Sequence, residues 1–408
     1  MSKNKRTYSR KMFHSKIFCF LTGGIVLVAL LSGAFILGIN FGNGNISLSS
    51  NTNLNQLPTS LNYSSVNTVY TILKNNFDGK LTANQIMNGI KQGLVNSAND
   101  PYTEYFSPSQ AKVFNSELNN SFTGIGVELS QNSNKQIIII SPLKGSPAQI
   151  AGLLPGDIIS SINNISTTSM SIDTAVNDIR GPAGTSVKLG IIRGSSNLVV
   201  KITRATINIP TVNYKIIDNN IGYVQITSFS NDTYGLVEDA ASTFLKGKVK
   251  GIILDLRDDP GGYLSAAINV SSLWLNRGQT ILTEKRGDQV VDSFSSPTTG
   301  VLSHIPTVVL INSGTASSAE ITTAALHDNG HAYIIGTKSF GKGVVQQLFN
   351  LPGGAELKVT VASWYRPDNK NINKIGIYPD QVVNMNDKYI NTPNDSQLSA
   401  AINYFNKH

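Results

Sequence analysis

The hydrophobic pattern of the chain begins with one uninterrupted apolar run, from Ile17 to Ile39. The run contains no charged residue, and as a helix it would cross the roughly 30 Å hydrocarbon core of a bilayer. A cleavable signal peptide has an apolar stretch of only about 7–15 residues. The length of the run therefore predicts an uncleaved transmembrane anchor over residues 17–39.

Beyond this run, the spacing of apolar residues changes several times along the chain. Residues 40–60 are rich in Asn, Ser and Gly and have no hydrophobic period, which is typical of a flexible linker. Residues 62–98 show helical spacing, and later segments alternate apolar strands first with Gly/Pro turns and then with helices. The predicted division is a basic cytoplasmic tail (1–16), the anchor (17–39), the linker (40–60), an N-terminal helical region packed on the core (61–118), a small mostly-β domain (119–206), an α/β core (207–390) and a C-terminal helix or tail (391–408).

The positive charge of the protein is concentrated in its first 16 residues. The net charge is +8, yet residues 1–16 hold six Lys and Arg and no acid, which leaves 27 basic against 25 acidic residues in the remainder. Basic residues on one flank of the anchor favour a cytoplasmic N-terminus and an extracytoplasmic location for residues 40–408. The near-neutral remainder argues against nucleic-acid binding. We expect contact with membrane lipid through residues 17–39 instead.

Cysteine and histidine are too scarce for the common metal and disulfide frameworks. The single cysteine, Cys19, lies inside the apolar run, and the five histidines are scattered along the chain. One cysteine excludes a disulfide framework and a Cys-rich zinc module. The scattered histidines leave few options for a metal site.

The segment 119–206 opens with a glycine-rich turn into a predicted strand and later contains a helix from Ser171 to Arg180 with one apolar face. Together with the sequence GSPAQIAGLLPGDIISSINN, this order resembles a circularly permuted PDZ domain. In such a domain, backbone amides of the turn capture a terminal carboxylate and the strand edge pairs with an extended peptide. The alternative is a tight turn and a core helix without a ligand. The candidate peptide-binding positions are Gly124, Ile125, Gly126, Val127, Ile172, Val176 and Ile179.

The sequence TVVLINSGTASSAEITTAAL contains a candidate nucleophile, Ser317. A buried-strand pattern is followed there by a turn and then by a helical segment. A serine at such a junction presents its hydroxyl beside a helix N-terminus, where the N–H of Ser318 can stabilise an oxyanion. The same spacing also fits a purely structural capping box, in which Ser317 caps the helix and Glu320 completes the box.

A serine nucleophile needs a base, and Lys342 in the sequence SFGKGVVQQ is the best candidate. His327 and His331 follow Ser317 along the same predicted helix, so neither folds back to it easily. Glycines flank Lys342 and the neighbouring strands are apolar, so we expect its ammonium group to be desolvated. Desolvation lowers the pKa of a lysine towards the range that a general base requires. The alternative is a solvated loop lysine.

A third segment, GIILDLRDDPGGYL, ends an apolar strand in a turn with two glycines. The backbone N–H of Gly261 or Gly262 is a candidate second donor to an oxyanion. Pro-Gly pairs also form ordinary turns, so a structural role stays open.

Together these segments resemble the carboxy-terminal processing peptidases, a family of tail-specific serine endopeptidases with a PDZ domain. The family pattern of DLRxNPGG, G(S/T)ASASE and FGKGxVQ appears here as DLRDDPGG (255–262), GTASSAE (314–320) and FGKGVVQ (340–346). The upstream DPYTEYFSP and the late GIYPD also match the family. Two departures are Asp258-Asp259, where an Asn-rich pair is usual, and the order Ser-Ser-Ala after Ala316. A backbone donor tolerates both.

The resemblance implies Ser317 as nucleophile, Lys342 as base and Gln346 as the residue that orients the lysine. It also implies a catalytic core built as a ClpP/crotonase-like β/α spiral. The expected fold class is therefore α/β with a small mostly-β PDZ domain and a single N-terminal transmembrane helix. The expected substrates are unstructured C-termini of extracytoplasmic or membrane proteins, and the implied reaction needs neither a metal nor an organic cofactor. Arg180, at the end of the PDZ helix, is a candidate regulatory residue that couples peptide binding to the alignment of Lys342, or else a plain helix C-terminal cation.

Several other interpretations fit parts of the sequence. A catalytically silent, surface-anchored PDZ adaptor predicts damage to the dyad, yet Ser317, Lys342 and Gln346 are all intact. The sequence GTKSFGK resembles a phosphate-binding loop, but Gly343 and a strand-like segment follow where Ser or Thr and a helix are required. A zinc hydrolase that used His327 and His331 would need the glutamate of an HExxH motif, which this sequence lacks. The apolar positions of 62–98 fit either a homodimer interface or a core.

Overall fold

The computed structural model describes residues 59–217 and 220–407. The predicted basic tail and anchor lie outside the described residues, as does most of the predicted linker. Within the described ranges, no helix is both long and apolar enough to cross a membrane. The described chain divides after Lys80 into two units, and the first carries helix α1 (Ser64–Asn76), which has no buried residue.

The second unit begins with two helices and a short strand that precede the PDZ region in the chain. Helix α2 (Ala83–Asn96) starts at Thr82, whose hydroxyl accepts from the N–H of Gln85 while the Gln85 side chain accepts from the N–H of Thr82. Strand β1 (Glu104–Phe106) and helix α3 (Pro108–Leu118) follow. Pro108 occupies the first turn of α3, where its missing N–H leaves no hydrogen bond unmade.

The PDZ region is a sheet with the strand order β3-β4-β5-β7-β8, on which β6 pairs with β5. Its apolar core includes Ile137, Ile159, Leu189 and Ile179. Strand β3 lies at the sheet edge and packs beside helix α5, as a peptide groove requires. The elements are β2 (Ser121–Gly124), β3 (Val127–Gln131), β4 (Ile137–Pro142), α4 (Pro147–Ile150), β5 (Ile158–Ile162), β6 (Ile165–Ser166), α5 (Ile172–Ile179), β7 (Ser186–Arg193), β8 (Ser196–Thr203) and β9 (Ala205–Asn208), of which β9 pairs with β2.

The peptidase region contains a six-stranded sheet with the order β10-β11-β12-β15-β16-β19. The pair β10–β11 is antiparallel and the others are parallel. Central strands β12 and β15 are buried along their whole length because both faces of the sheet are covered. The elements are β10 (Val212–Ile217), β11 (Ile221–Ile226), α6 (Thr233–Gly247), β12 (Gly251–Asp255), α7 (Leu264–Ser271), β13 (Thr280–Arg286), β14 (Gln289–Ser295), β15 (Thr307–Ile311), α8 (Ser318–Asp328), β16 (Ala332–Gly336), β17 (Val344–Asn350), β18 (Glu356–Tyr365), β19 (Gln381–Val382) and α9 (Ser396–Lys407), with short 3₁₀ turns at Pro352–Gly354 and Asp387–Tyr389.

The two faces of this sheet contribute to different cores, because successive side chains of a strand point to opposite faces. Ile252 and Leu254 join a cluster with α7, α8 and Trp364 of β18. Ile253, between them, joins a second cluster with Phe405 of α9. The second sheet, β1-β18-β13-β14 with β17 paired to β18, therefore shares a core with the helices of the first sheet. The mixed α/β class with a PDZ domain is as predicted, whereas the more specific β/α spiral stays a prediction.

Candidate active site

The candidate site lies at the carboxyl ends of parallel strands β12 and β15, where ligands of open α/β sheets usually bind. A buried ion network anchors the β12 end. The Arg257 guanidinium lies between Asp255 and Asp395, with N–O distances of 2.6 and 2.9 Å, and it also donates to Gln397. This network ties the start of the glycine turn to the segment that precedes α9.

Ser317 occupies the sharp junction between β15 and α8 that the sequence predicted. Its backbone has φ +52° and ψ −117°, a conformation that L-residues rarely adopt and that costs about 1–3 kcal/mol. The surrounding turn is fixed by Thr315, whose hydroxyl donates to the carbonyl of Leu256 and accepts from the N–H of Asn312. The junction therefore holds Ser317 in place through hydrogen bonds to both strands.

The first turn of α8 presents a free backbone donor. No acceptor among the described residues binds the N–H of Ser318, while its hydroxyl donates to the carbonyl of Gly262 at 3.0 Å. The positive end of the helix dipole reinforces such a donor. The Ser318 amide is thus available to a negatively charged oxygen near Ser317.

Glu320 links the nucleophile segment to the base segment. Its fully buried carboxylate accepts from the N–H of Ser317 at 3.0 Å and from the N–H of Lys342 at 2.9 Å. It also accepts from the N–H of Gly341 and the hydroxyl of Ser339. Burial raises the pKa of Glu320, and these four donors oppose that rise. The sequence indicated Glu320 only as a capping residue, and no spacing signal pointed to its contacts with the base segment.

Lys342 is half-buried, and its amine is held by Gln346. The Nζ atom lies 2.7 Å from Gln346 Oε1, and Gln346 Nε2 donates to the carbonyl of Tyr102 at 2.5 Å. The Tyr102 ring centroid is 5.2 Å from Nζ, and the indole of Trp364 donates to the Lys342 carbonyl. Tyr102 belongs to the predicted DPYTEYFSP turn, although no sequence pattern indicated its contact with the lysine.

Burial lowers the pKa of Lys342, and the positive charge of Lys358 lowers it further, while Glu320 opposes both. Lys358 lies on β18, and its Nζ is 3.1 Å from Glu104 Oε2. Its ammonium also lies 5.0 Å from the ring centroid of Phe106. The surroundings of Lys342 thus favour the neutral amine that a general base needs.

Close contacts leave no room for a side chain at Gly261 or Gly262 of the predicted turn. A Cβ on Gly261 (φ +93°) would lie 2.8 Å from Ser317 Cβ and 2.8 Å from the Ser318 nitrogen. A Cβ on Gly262 (φ +153°) would lie 2.0 Å from the Phe229 carbonyl oxygen. The Gly261 N–H donates to Asp259 Oδ1 at 2.8 Å, whereas no acceptor among the described residues binds the Gly262 N–H. Of the two, Gly262 has the available donor.

One cleft brings the predicted catalytic residues together. Its volume is about 690 Å³, and apolar and aromatic side chains such as Leu118, Val344 and Trp364 form part of its wall. A substrate chain can therefore pack its side chains against the apolar wall while its backbone reaches Ser317 and Lys342. The predicted site residues that line the cleft are Ser317, Ser318, Lys342, Gln346, Gly261 and Gly262.

The PDZ turn is fixed through its carbonyl groups. The Ile125 carbonyl accepts from the N–H of Ala148, and the Gly126 carbonyl accepts from the N–H of Leu143 and the hydroxyl of Ser146. Within the described residues, no acceptor binds the N–H groups of Ile125 and Gly126. The Ile125 side chain is in the core, so a ligand would meet its backbone.

The other predicted peptide-binding residues differ in exposure. Ile179 is buried in the PDZ core, whereas Ile172, Val176 and Val127 are only partly buried. Arg180 is exposed at the end of α5, with its guanidinium 5.3 Å from the ring centroid of Phe122. A peptide beside β3 would therefore meet Ile172 and Val176 before Ile179.

The two histidines of the α8 region have partners away from the cleft. His327 lies between Asp328 and Asp380, at 3.0 and 3.1 Å, and His331 lies 2.8 Å from Gln279 Oε1. The described ranges hold no cluster of His, Cys, Asp and Glu that could bind a metal. After Lys342 the chain enters strand β17, and a phosphate-binding loop would need a helix there.

Comparisons with known proteins agree with this architecture. Residues 220–383 match the model of peptidase family S41, and residues 115–192 match the PDZ domain model. A Staphylococcus aureus (strain MRSA252) protein named "Probable CtpA-like serine protease" is 34% identical over 94% of this chain and 76% of its own length. The carboxy-terminal processing protease CtpA of Bacillus subtilis (strain 168) is 39% identical over 78% of this chain and 68% of its own length.

A solved structure supports the fold. A Bacteroides fragilis protein assigned to the S41 proteases superposes with a TM-score of 0.51 at 19% identity, covering 86% of this chain and 99% of that chain. Fold, site and relatives together define a serine endopeptidase that carries a PDZ domain. The chain belongs to peptidase family S41, among the carboxy-terminal processing proteases.

Proposed function

We propose that the protein is a membrane-anchored, extracytoplasmic endopeptidase that binds substrate C-termini through its PDZ domain and cleaves with a Ser317–Lys342 dyad. The observation that carries this proposal is the convergence of both residues on one cleft. Glu320 bonds the backbone N–H of each, and Gln346 holds the lysine amine. This arrangement fixes a nucleophile and a desolvated base on separate segments of the same site.

In the proposed reaction, the neutral amine of Lys342 takes the proton of the Ser317 hydroxyl as Oγ attacks the scissile carbonyl. The N–H groups of Ser318 and Gly262 stabilise the resulting oxyanion. The lysine ammonium then protonates the leaving amine, and the acyl-enzyme forms. Lys342 finally activates a water that hydrolyses the ester and restores Ser317. Gln346 keeps the amine oriented throughout.

The PDZ turn would supply the preference for chain ends. The N–H groups of Ile125 and Gly126 lack protein acceptors, and β3 offers an unpaired edge next to α5. These are the groups that a terminal carboxylate and an extended peptide need. We infer that the unstructured C-terminus of a substrate binds there and that the active-site cleft cleaves the same substrate chain upstream of that end.

The membrane location rests on the sequence. Residues 17–39 are long and apolar enough to anchor the chain, and the basic residues before them favour a cytoplasmic N-terminus. Protease added outside intact cells should therefore degrade the peptidase domain but leave the first 16 residues protected. Degradation only after lysis would contradict this orientation.

Cleavage of an unstructured peptide with apolar C-terminal residues, followed by mass spectrometry, tests the catalytic proposal. The full chain in detergent is compared with its Ser317→Ala and Lys342→Ala variants, and an amidated peptide serves as the control for end recognition. We expect cutting by the unmodified enzyme alone, weakened by amidation. Binding without cutting would favour a PDZ adaptor, and cutting by Ser317→Ala would refute the mechanism.

A further inference from the structure

Asp259 is a buried acid next to the glycine turn, and the reaction proposed above does not use it. Its side chain is fully buried, and Oδ1 accepts from the Gly261 N–H at 2.8 Å. Its other oxygen, Oδ2, is buried and has no hydrogen-bond partner among the described residues. One neutral donor therefore has to satisfy the whole carboxyl group.

The backbone of Asp259 also contacts the nucleophile segment. Its carbonyl accepts from the N–H of Ala316, the residue before Ser317, at 2.9 Å. Asp259 thus bonds the glycine turn through its side chain and the serine junction through its main chain. A change at this residue would reach both sides of the proposed oxyanion site.

The charged groups around Asp259 are engaged elsewhere. In the same loop after β12, Arg257 pairs with Asp255 and Asp395, and the Asp258 carboxylate accepts from Asn312 of the β15 segment. On α8, Glu320 binds its own four donors. None of these groups forms an ion pair or hydrogen bond with the Asp259 side chain.

An ionised carboxylate in this position would be costly, because a buried charge needs a counter-ion or several donors. A carboxylic acid with its proton on Oδ2 needs only the Gly261 N–H on Oδ1. Burial accordingly raises the pKa of Asp259 well above its usual value, and the Gly261 hydrogen bond opposes this only in part. The geometry and the burial therefore both favour the neutral form.

We propose that Asp259 is a positioning residue that holds the Gly261–Gly262 turn as a neutral carboxylic acid, and that loss of its proton as the pH rises disables the turn. An ionised Asp259 would attract further N–H donors, and those of the turn are nearest in the chain. It would also place a negative charge beside the site where the transition state develops one. The link to catalysis rests on the oxyanion role proposed above.

Asp259→Asn tests the catalytic half, because it preserves the size of the side chain but cannot ionise. As the pH rises, the unmodified enzyme should lose kcat through one titrating group that the variant lacks. The change should fall on kcat rather than on KM, because the oxyanion contact forms only in the transition state. The exposed neighbour supplies the matched control, and Asp258→Asn should keep this loss of kcat.

A second readout does not require activity. An acid with a higher pKa in the folded than in the unfolded state takes up a proton on folding, so stability falls as pH rises from about 4 to the folded pKa. In a Ser317→Ala background, Asp259→Asn removes this proton uptake. The melting temperature of Asp259→Asn relative to its parent should therefore increase as the pH rises. Asp258→Asn changes the exposed neighbour and should not reproduce this increase.

The outcomes separate the two parts of the proposal. A constant melting difference for Asp259→Asn would overturn the neutral acid, whether or not the chain cleaves peptides. A widening difference, with the loss of kcat at higher pH unchanged in the variant, would support the neutral acid and overturn its link to the turn. If Asp259→Asn does not fold, Asp259→Ser provides a non-ionising acceptor for the same two measurements.

Discussion

The two glycine turns of the protein differ in the space left around their glycines. In the PDZ turn, a Cβ on Gly126 would meet the Ser146 side chain at 2.5 Å, but a Cβ on Gly124 would have ordinary contacts from 3.6 Å. In the peptidase turn, added atoms on Gly261 and Gly262 would both meet backbone atoms at 2.8 Å or less. The peptidase turn is therefore confined by main chain at both glycines.

The difference fits the ligand that each turn would bind. A terminal carboxylate is charged before it binds, so a turn that adjusts slightly still gains the interaction. An oxyanion exists only in the transition state, so its donors must be in position beforehand. Hydrogen bonds fix the carbonyls of both turns, since Gly261 accepts from the N–H of Phe229 and Gly262 from the Ser318 hydroxyl, just as Ile125 and Gly126 accept in the PDZ turn. The turns therefore differ in how closely main chain surrounds their glycines.

The largest expected effect concerns the proposed Ser317–Lys342 dyad, on which the catalytic side of the comparison depends. Ser317→Ala and Lys342→Met should each lower kcat at least about 10⁴-fold. When two residues act as a unit, removing either one abolishes almost the whole rate enhancement that the pair provides. The double variant should be little worse than either. Ser313→Ala and Lys338→Met change exposed residues near the same segments and should retain activity in the same peptide assay. Additive losses would indicate that the two residues act independently.

The next effect tests the two turns directly. Gly262→Ala should lower kcat about 10²–10³-fold, because an added methyl displaces the turn from Phe229 and removes an oxyanion donor. Gly124→Ala has room for the methyl, so it should leave kcat unchanged and alter only KM for peptides with a free C-terminus. Steady-state kinetics on the two variants measure both constants. Equal losses of kcat would remove the distinction between the turns.

A smaller effect is a shift of the pH profile. Activity should rise with pH as Lys342 loses its proton, and Lys358→Gln should move this rise to higher pH because the removed charge had lowered the pKa of Lys342. Glu104→Gln leaves the Lys358 charge uncompensated and should move the rise to lower pH. Lys358→Arg retains the charge and serves as the control. Shifts of the same sign for both neutral variants would contradict this electrostatic account.

The sequence predicted the elements and residue types of the site better than the contacts between its segments. The Ser317 junction, the Lys342 loop and the glycine turn each have a local signature that fixes strand, turn or helix. Glu320 looked like a capping residue because its bonds to the Lys342 loop cross 22 positions of sequence. Spacing arguments do not reach such distances, and the carbonyl of Tyr102 lies 244 positions from Gln346.

The buried polar groups were the hardest to predict for a related reason. Asp258 and Asp259 are adjacent in a turn, yet one side chain is exposed and the other fully buried. The local sequence pattern cannot distinguish the burial of the two side chains, because that burial depends on how the loop after β12 packs against the Ser317 junction. The family resemblance indicated only that an acid stands where an amide is usual.

The smallest expected effect concerns communication between the two regions. Arg180 lies over Phe122 of β2, the strand that leads into the PDZ turn. An exposed cation–π contact contributes about 0.5–1 kcal/mol, so Arg180→Ala should reduce cleavage of a free-ended peptide by about two- to fivefold. Cleavage of the amidated peptide should change less, because its end does not engage the turn. Lys201→Ala removes an exposed cation elsewhere in the PDZ region and should change neither rate. If Arg180→Ala leaves cleavage and its dependence on the peptide end unchanged, Arg180 is only a helix-terminal cation and the two turns act independently.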